Sequence, residues 1–225
     1  MSVTKIILYS HGFGVEKDDR GLFTDIANSL GDFRHIMFDY NRIDEQSNTL
    51  TVTSLHKQAD MLKRQYDILR NSHPDATIDL ICHSQGSIAA GLANLHGISK
   101  IVLLAPPTRF LGSETKLEQM SERQGTQVQD DGTVSYPRRD GSTTIIKQDY
   151  WQSRNAITDP IALYNQLAQN TEVTIINALN DEVLGETNHS KLSDTINLVH
   201  QEANHDFTGN GRPVLLKTME EIFNQ

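Results

Sequence analysis

Short apolar runs alternate with amphipathic segments along most of the chain. The apolar runs are rich in Ile, Val and Leu and lie at about 4–9, 33–39, 77–82, 100–105, 172–178 and 195–200. Runs of this length and composition are typical of parallel strands that are covered on both faces. Between them, apolar residues recur at helical spacing, as at Leu55, Ala59, Leu62, Tyr66 and Leu69. The pattern predicts an α/β fold with a doubly wound, mainly parallel sheet.

One stretch, residues 107–155, breaks this alternation because it is too long for a single crossover. It contains a polar helical segment, residues 114–123, followed by Asp-Gly turns at Asp131-Gly132 and Asp140-Gly141. Short β-type runs lie between and after these turns, which predicts an inserted β-meander. We interpret the insertion as a cap, and a surface excursion without function is the alternative. The predicted core comprises two segments, 1–106 and 156–225.

A serine stands at the apex of a tight turn from strand to helix. The apolar residues Leu80-Ile81-Cys82 lead into His83-Ser84-Gln85-Gly86, and an alanine-rich helical pattern follows. Such a turn strains the central residue and places its hydroxyl beside a helix N-terminus. The residues two before and two after the serine must be small, a requirement that Gly86 meets fully and Cys82 meets only imperfectly. Ser84 is therefore the predicted nucleophile.

Candidate partners for this serine follow other strands. Upstream, the first strand runs into Ser10-His11-Gly12-Phe13-Gly14, a loop whose backbone N–H groups are free to face a developing oxyanion. Downstream, Asn180-Asp181-Glu182 comes just after a strand, and His205 follows the last strand. Serine, then acid, then histidine is the order of the α/β-hydrolase triad.

On these motifs, the chain resembles the α/β-hydrolase superfamily over nearly its whole length. The loop at 11–14, the elbow at 83–86 and the Asn-His-Asp-Phe segment at 204–207 are most similar to small bacterial serine esterases, including the cinnamoyl and feruloyl esterase group. The resemblance implies an α/β-hydrolase fold and a carboxylesterase-type serine hydrolase. Cys82 stands where the family has the first elbow glycine. The strand before the oxyanion loop opens the chain, so the fold is expected in an N-terminally minimal form.

Four histidines compete for the role of general base. His205 is preferred because it follows the last strand. His200 falls inside that strand pattern and is expected to be packed, and His189 lies early on a helix or loop. His83 precedes Ser84 directly and is expected to point away from it.

The acid has fewer candidates. Asp181 is preferred to Glu182, because one carboxylate accepts the imidazole N–H and its neighbour normally faces solvent. Asp206 adjoins the base and is badly placed to orient it. The predicted triad is therefore Ser84, Asp181 and His205.

These residues predict ester hydrolysis through an acyl-enzyme intermediate. Ser84 attacks the carbonyl while His205 takes its proton, and the backbone N–H groups of Phe13 and Gln85 stabilise the oxyanion. Small or aryl carboxylic esters are the favoured substrates. Thioesters or amides would use the same residues, and a non-catalytic ligand-binding protein is the alternative of a different class.

The substrate-binding residues are expected on the oxyanion loop and at the two ends of the insertion. Aromatic side chains there would form a pocket wall while the meander regulates access. A lone tryptophan in a polar insertion also needs somewhere to pack. The predicted substrate-binding residues are His11, Gly12, Phe110, Tyr150 and Trp151.

Composition and motif spacing limit the partners, location and cofactors expected for the chain. A formal net charge of −9 and a pI near 5.4 argue against nucleic acid or an anionic membrane as partner. No apolar run approaches the roughly 20 residues that span a bilayer, and no secretion signal precedes Val3, so a cytoplasmic location is expected. Scattered histidines and the Gly12-x-Gly14 pair fit no metal or nucleotide site, so no cofactor is expected. A homodimer is left open.

Overall fold

Strands and helices cover most of the residues that the computed structural model describes, which are 4–110, 118–122, 124–138 and 141–224. The strands are β1 (Lys5–Ser10), β2 (Arg34–Ile36), β3 (Arg42–Asp44), β4 (Thr49–Val52), β5 (Thr77–His83), β6 (Lys100–Leu104), β7 (Gln127–Val128), β8 (Val134–Pro137), β9 (Thr143–Ile146), β10 (Glu172–Ala178) and β11 (Asn197–Gln201). The longer helices are α1 (Leu22–Ser29), α2 (Leu55–Ser72), α3 (Gly86–Ala93), α4 (Gln148–Asn155), α5 (Pro160–Leu167) and α6 (Gly211–Phe223).

The larger sheet has the order β11-β10-β6-β5-β1-β2, and every neighbouring pair in it is parallel. The mainly parallel sheet predicted from the apolar runs is thus confirmed, with a strand in each of the six predicted places. Parallel strands end at the same edge of a sheet. The register of β1 on β5 pairs Ser10 with Cys82, so the loop after β1 and the turn after β5 begin side by side.

Both faces of this sheet are covered, because side chains alternate along each strand. Ile6 and Leu8 pack into a core with α2 and α3, whereas Ile7 and Tyr9 pack into a second core with α1 and α6. The apolar face predicted for α2 is buried as expected. No helix in the described part of the chain is both long and apolar enough to cross a bilayer.

A second sheet contains the predicted meander and an unexpected hairpin. Its order is β3-β4-β9-β8-β7; β4 and β9 are parallel, and the other neighbours are antiparallel. Strands β7, β8 and β9 come from the insertion, but β3 and β4 come from residues 42–52, where no strand was predicted. Of the predicted helical segment 114–123, residues 118–121 are helical, while 114–117 and 123 lie outside the described residues. Asp140 of the second predicted turn also lies outside them.

The end of the insertion packs against the core. Tyr150 and Trp151 of α4 are buried within the larger apolar cluster, together with residues of α2 and α3. Ser153 Oγ accepts a hydrogen bond from the Leu55 backbone N–H at 3.0 Å, which joins α4 to the start of α2. This helix therefore holds the second sheet close to the turn that carries Ser84.

Gly86 is the tightest point of the fold. A Cβ added there would lie 2.0 Å from the Ser10 carbonyl oxygen, a contact that only backbone movement relieves. We expect Gly86→Ala to lower the free energy of unfolding by roughly 3 kcal/mol or more, as overpacked sites can. Chemical denaturation measures this. Gly31→Ala is the matched control, because a Cβ there meets nothing within 4 Å. Equal stability of the two variants would contradict the prediction.

Candidate active site

The predicted site residues meet at the carboxyl edge of the larger sheet. Ser84 follows β5, the loop with Gly12 and Phe13 follows β1, Asp181 follows β10 and His205 follows β11. In open α/β sheets this edge is where ligands bind, since the loops there come from strands that lie side by side.

Ser84 occupies a strained turn. Its φ is 49°, in the left-handed region that residues other than glycine seldom adopt. Its N–H donates to the Leu104 carbonyl of β6 at 2.8 Å, and the Ser10 hydroxyl donates to the Gly86 carbonyl at 2.8 Å. Ser84 is 7% exposed. The turn thus holds the hydroxyl in a nearly enclosed position above the end of the sheet.

Ser84, His205 and Asp181 form a continuous series of hydrogen bonds. Ser84 Oγ lies 2.9 Å from His205 Nε2, and His205 Nδ1 lies 2.6 Å from Asp181 Oδ2. An ionised carboxylate only accepts hydrogen bonds, so Nδ1 carries the ring proton. Nε2 of the neutral ring is then left as the acceptor for the serine hydroxyl. This is the arrangement that lets a histidine take a proton from a serine.

Asp181 is held as a carboxylate. Its Oδ1 accepts hydrogen bonds from the backbone N–H groups of Val183 at 2.9 Å and Leu184 at 2.7 Å. Burial raises the pKa of Asp181, but the hydrogen bond and charge of His205, with these two N–H groups, outweigh it and bring the pKa below its ordinary value. The acid therefore stays ionised under the conditions in which a neutral histidine is needed.

The competing acids lie beside the series without joining it. Glu182 Oε2 accepts from the backbone N–H of His205 at 3.2 Å and does not contact the ring nitrogens. Asp206 is paired with Arg20 at 2.7 Å. Of the two adjacent acids, only Asp181 orients the imidazole.

Two of the competing histidines lie elsewhere. His200 Nδ1 is 3.3 Å from the Asn177 amide nitrogen. His189 packs against His200, with ring centroids 6.0 Å apart. Neither is hydrogen-bonded to Ser84, whose hydroxyl contacts His205.

The predicted oxyanion donors are the backbone N–H groups of Phe13 and Gln85, and the side chains of both residues contact Tyr150. Among the described residues, the backbone N–H groups of Phe13 and Gln85 donate to no protein acceptor. The Gln85 side chain accepts from the Tyr150 hydroxyl at 2.6 Å and donates to Gln58 Oε1 at 3.0 Å. The Phe13 and Tyr150 rings pack with centroids 5.3 Å apart. One tyrosine of the insertion thus packs on the side chains of both residues.

Among the predicted substrate-binding residues, His11 is 1% exposed. Its ring nitrogens are bonded to the Gly12 carbonyl at 2.9 Å and to the Tyr40 N–H at 3.0 Å. Burial lowers its pKa, although the bond to Gly12 and the charge of Asp19 oppose that shift. His11 thus shapes the loop through local hydrogen bonds. Its contact with substrate stays a prediction.

The aromatic residues at the ends of the insertion occupy different surroundings. Phe110 is half-buried under the Arg154 guanidinium, 4.5 Å from its ring centroid. Trp151 is 6% exposed and packs edge-on against Tyr150, and its Nε1 has no acceptor among the described residues. Trp151 therefore contributes to the core, and its contact with substrate also stays a prediction.

Two residues beneath the site make contacts that the sequence did not predict. Asp19 is buried in the loop after β1, and its Oδ2 lies 2.8 Å from His83 Nδ1. His83 was expected to point away from Ser84, and its Nε2 bonds the carbonyl oxygen of His205 at 3.0 Å. Asp19 stands next to Asp18 in a polar run. No local pattern distinguishes the buried aspartate from the other.

One group of residues in the described part of the chain has the spacing of metal ligands. His83, His205 and Asp206 place ligand atoms within 4.8 Å of one another. Every ring nitrogen in the group already has a hydrogen-bond partner, and Asp206 is paired with Arg20. We therefore assign no metal to it.

The chain is similar to known proteins in sequence and in structure. A family model described as Alpha/beta hydrolase matches residues 37–136. Est1E from Butyrivibrio proteoclasticus with ferulic acid bound has a TM-score of 0.69 at 15% identity, over 99% of this chain and 89% of that chain. The enol-lactonase from Burkholderia xenovorans LB400 has a TM-score of 0.66 at 14% identity, over 100% and 93% of the two chains. The pyrethroid hydrolase PytH has a TM-score of 0.62 at 13% identity, over 98% and 97%. No curated protein matches the chain.

Identities this low carry information about the fold alone. The parallel sheet covered on both faces, the strained turn from β5 into α3 and the site at the carboxyl edge agree with the family match and with the structural likenesses. The chain therefore has the α/β-hydrolase fold, as its motifs implied.

Proposed function

We propose that this protein is a serine hydrolase that cleaves carboxylic esters through an acyl-enzyme intermediate. The observation that carries the proposal is the hydrogen-bonded series from Ser84 through His205 to Asp181. A serine in a tight turn without such partners would be a structural feature only. Here the hydroxyl faces an acceptor nitrogen whose tautomer is set by a buried carboxylate.

In the acylation half-reaction, Ser84 Oγ forms a bond to the ester carbonyl carbon and its proton passes to His205 Nε2. The tetrahedral intermediate collapses, the bond to the alcohol oxygen breaks, and the alcohol leaves with the proton from His205. Water then attacks the acyl group by the same route and releases the acid and Ser84. Asp181 stays ionised throughout and stabilises the imidazolium that forms in each half.

The oxyanion would be stabilised by the backbone N–H groups of Phe13 and Gln85. These groups donate to no acceptor among the described residues, so they are available for the negative oxygen. Donors fixed in advance cost no reorganisation when charge develops, which is why such sites contribute strongly to the rate. The positive end of α3, which begins at Gly86, favours the same charge.

We infer that small or aryl esters are the substrates. The aromatic rings of Phe13 and Tyr150 contact each other beside the elbow and would form one wall of an acyl site. Est1E, which shares the fold, has a solved structure with ferulic acid bound, and that favours an aromatic acyl group. Thioesters and amides present the same carbonyl carbon and are the alternatives.

The insertion would act as a cap whose helix α4 braces the oxyanion donors. Tyr150 fixes the side chain of Gln85 by a hydrogen bond and that of Phe13 by ring packing. Gln85 is in turn anchored through Gln58, whose amide donates to the Thr53 carbonyl at 2.8 Å. These contacts of Tyr150 would affect kcat, because they set the positions of groups that contact the transition state.

Replacement of the nucleophile tests the mechanism directly. Ser84→Ala is expected to reduce hydrolysis of chromogenic esters by about 10³-fold or more while the melting temperature is retained. Ser87→Ala is the matched control, since its buried hydroxyl has no partner among the described residues. A fluorophosphonate probe should label the wild type and Ser87→Ala but not Ser84→Ala. Near-normal turnover in Ser84→Ala would overturn the serine mechanism.

The two adjacent acids should behave differently. Asp181→Asn places an amide opposite His205 Nδ1 and favours the wrong tautomer, so kcat should fall by about 10³- to 10⁴-fold. Glu182→Gln keeps an oxygen for the His205 N–H and should retain kcat close to the wild type. The opposite ranking of the variants would assign the acid to Glu182.

Removal of the Tyr150 hydroxyl tests whether its bond to Gln85 supports turnover. Tyr150→Phe keeps the ring on Phe13 but loses the bond to Gln85, so kcat should fall by about tenfold with KM little changed. Tyr66→Phe loses a bond of equal length, 2.6 Å, to the His96 carbonyl away from the site. Each variant should lose about 1 kcal/mol of stability. If kcat falls equally in both, Tyr150 has no special role in turnover.

A further inference from the structure

We propose that Asp19 and His83 form a buried charged pair that positions the oxyanion loop and the His205 main chain around Ser84. The proposal rests on the proposed function for its catalytic consequence. Neither residue contacts the reacting atoms, so both are positioning residues.

The pair connects three loops of the site. Asp19 Oδ2 accepts a hydrogen bond from the Gly12 backbone N–H at 2.7 Å and also contacts His83 Nδ1 at 2.8 Å. On the other side of the ring, His83 Nε2 lies 3.0 Å from the His205 carbonyl oxygen. One side-chain pair therefore links the loop after β1, the elbow after β5 and the segment after β11.

The hydrogen bonds determine how many protons the pair holds. The His205 carbonyl only accepts, so His83 Nε2 must carry a proton. Asp19 Oδ2 already accepts the Gly12 N–H and meets His83 Nδ1, and a second proton must lie between that oxygen and that nitrogen. Imidazole is a stronger base than a carboxylate, so we place this proton on His83, which gives an imidazolium beside a carboxylate on Asp19.

The electrostatics of the pair agree with this assignment. Burial lowers the pKa of His83, but the charge and hydrogen bond of Asp19 outweigh burial and raise the pKa overall. Burial raises the pKa of Asp19, but the charge and hydrogen bond of His83 bring it below the ordinary value. Both side chains are 2% exposed, so the two charges compensate each other with almost no help from water.

Other charges face the pair from the same loops. The His83 and His205 rings are adjacent, with centroids 5.0 Å apart, and Asp206 contributes a further negative charge. The titratable and charged groups around the His83 ring are Asp19, His11, His205, Asp206 and, through its pairing with Asp206, Arg20. The Asp19 carboxylate is the one that contacts the ring itself.

The loop that carries Asp19 needs such an anchor. Asp19, Arg20 and Gly21 all have positive φ, at 50°, 57° and 84°. Left-handed conformations are costly for residues other than glycine and persist where the surroundings hold them. The bond from Gly12 to Asp19 ties this strained turn to the residue directly before Phe13, whose N–H is a proposed oxyanion donor. Loss of the Asp19 carboxylate would release both the strained turn and the loop segment at Gly12 that precedes Phe13.

The protonation state can be measured on the wild type without a variant. Nitrogen-detected NMR of the histidine rings should show both His83 nitrogens still protonated above about pH 6.5, where an ordinary histidine has lost a proton. If the His83 ring titrates in the ordinary range, the charged pair does not exist.

Stability against pH gives an independent readout. A raised pKa on His83 means that its favourable contribution is complete below about 6.5 and is lost as pH rises through its folded value. For Asp19 the contribution is complete above about 3.9 and is lost as pH falls through its folded value. The wild-type melting temperature should therefore decline on the alkaline side. Asp19→Asn should lack this decline, because its buried His83 would be neutral, and an unchanged decline would contradict the pair.

The positioning role is tested with Asp19→Asn and its neighbour Asp18→Asn. Asp19→Asn should lower kcat per fluorophosphonate-labelled site by about 10²-fold with little change in KM, because displaced groups lose their alignment. Asp18→Asn removes the same charge one residue away and should match the wild type. Since counting labelled sites excludes unfolded protein, kcat within twofold of the wild type in Asp19→Asn would overturn the role.

Failure of the proposed function has a different signature. A wild type that neither hydrolyses esters nor labels would refute the serine hydrolase alone. In that case, hydrogen exchange at the Gly12 amide decides the positioning. Strong protection in the wild type that is lost in Asp19→Ala, which leaves no side-chain oxygen to accept the Gly12 N–H, supports the anchor, and equal exchange in the two proteins refutes it.

Discussion

The whole site depends on how closely α3 approaches the loop after β1. The first residue of this helix lies so near the Ser10 carbonyl that no side chain fits there, and the Ser10 hydroxyl bonds the carbonyl of that same glycine, Gly86. This contact brings the strained Ser84 turn and the loop with Phe13 to a common position above the sheet. Two loops that are distant in sequence then present a hydroxyl and the N–H groups of Phe13 and Gln85, which have no acceptor in the described part of the chain, to the same small volume.

The sequence predicted the larger sheet well, because buried parallel strands are continuous apolar runs that few other structures require. The predicted segment at 172–178 coincides with β10. The grouping of Ser84, Asp181 and His205 was predictable because each follows such a strand, and the ends of parallel strands meet at one edge. These predictions needed only local patterns and the rules of α/β topology.

Other features depend on long-range pairing that no local pattern records. Strand β3 is exposed along its whole length and polar at two of its three positions, so only its partner β4 makes it a strand. The burial of Asp19 follows from its bonds to Gly12, in the same loop, and to His83, at the end of β5 and 64 residues away. The bond from Tyr150 to Gln85 spans the insertion and the elbow. In each case the decisive partner is fixed by the tertiary structure.

Because β4 pairs with β9, the structural unit that contains the insertion also includes a strand that lies far before it in the sequence. Thr49–Val52 and residues 143–146 lie on the order of 90 residues apart, a loop whose closure carries an entropic cost that only the assembled sheet offsets. Excision of the meander would expose the backbone of β4 as a free edge with Leu50 and Val52 beside it, a template for aggregation. Exchange of this module between related proteins would therefore have to move two segments together, the hairpin at 42–52 and the meander that it supports.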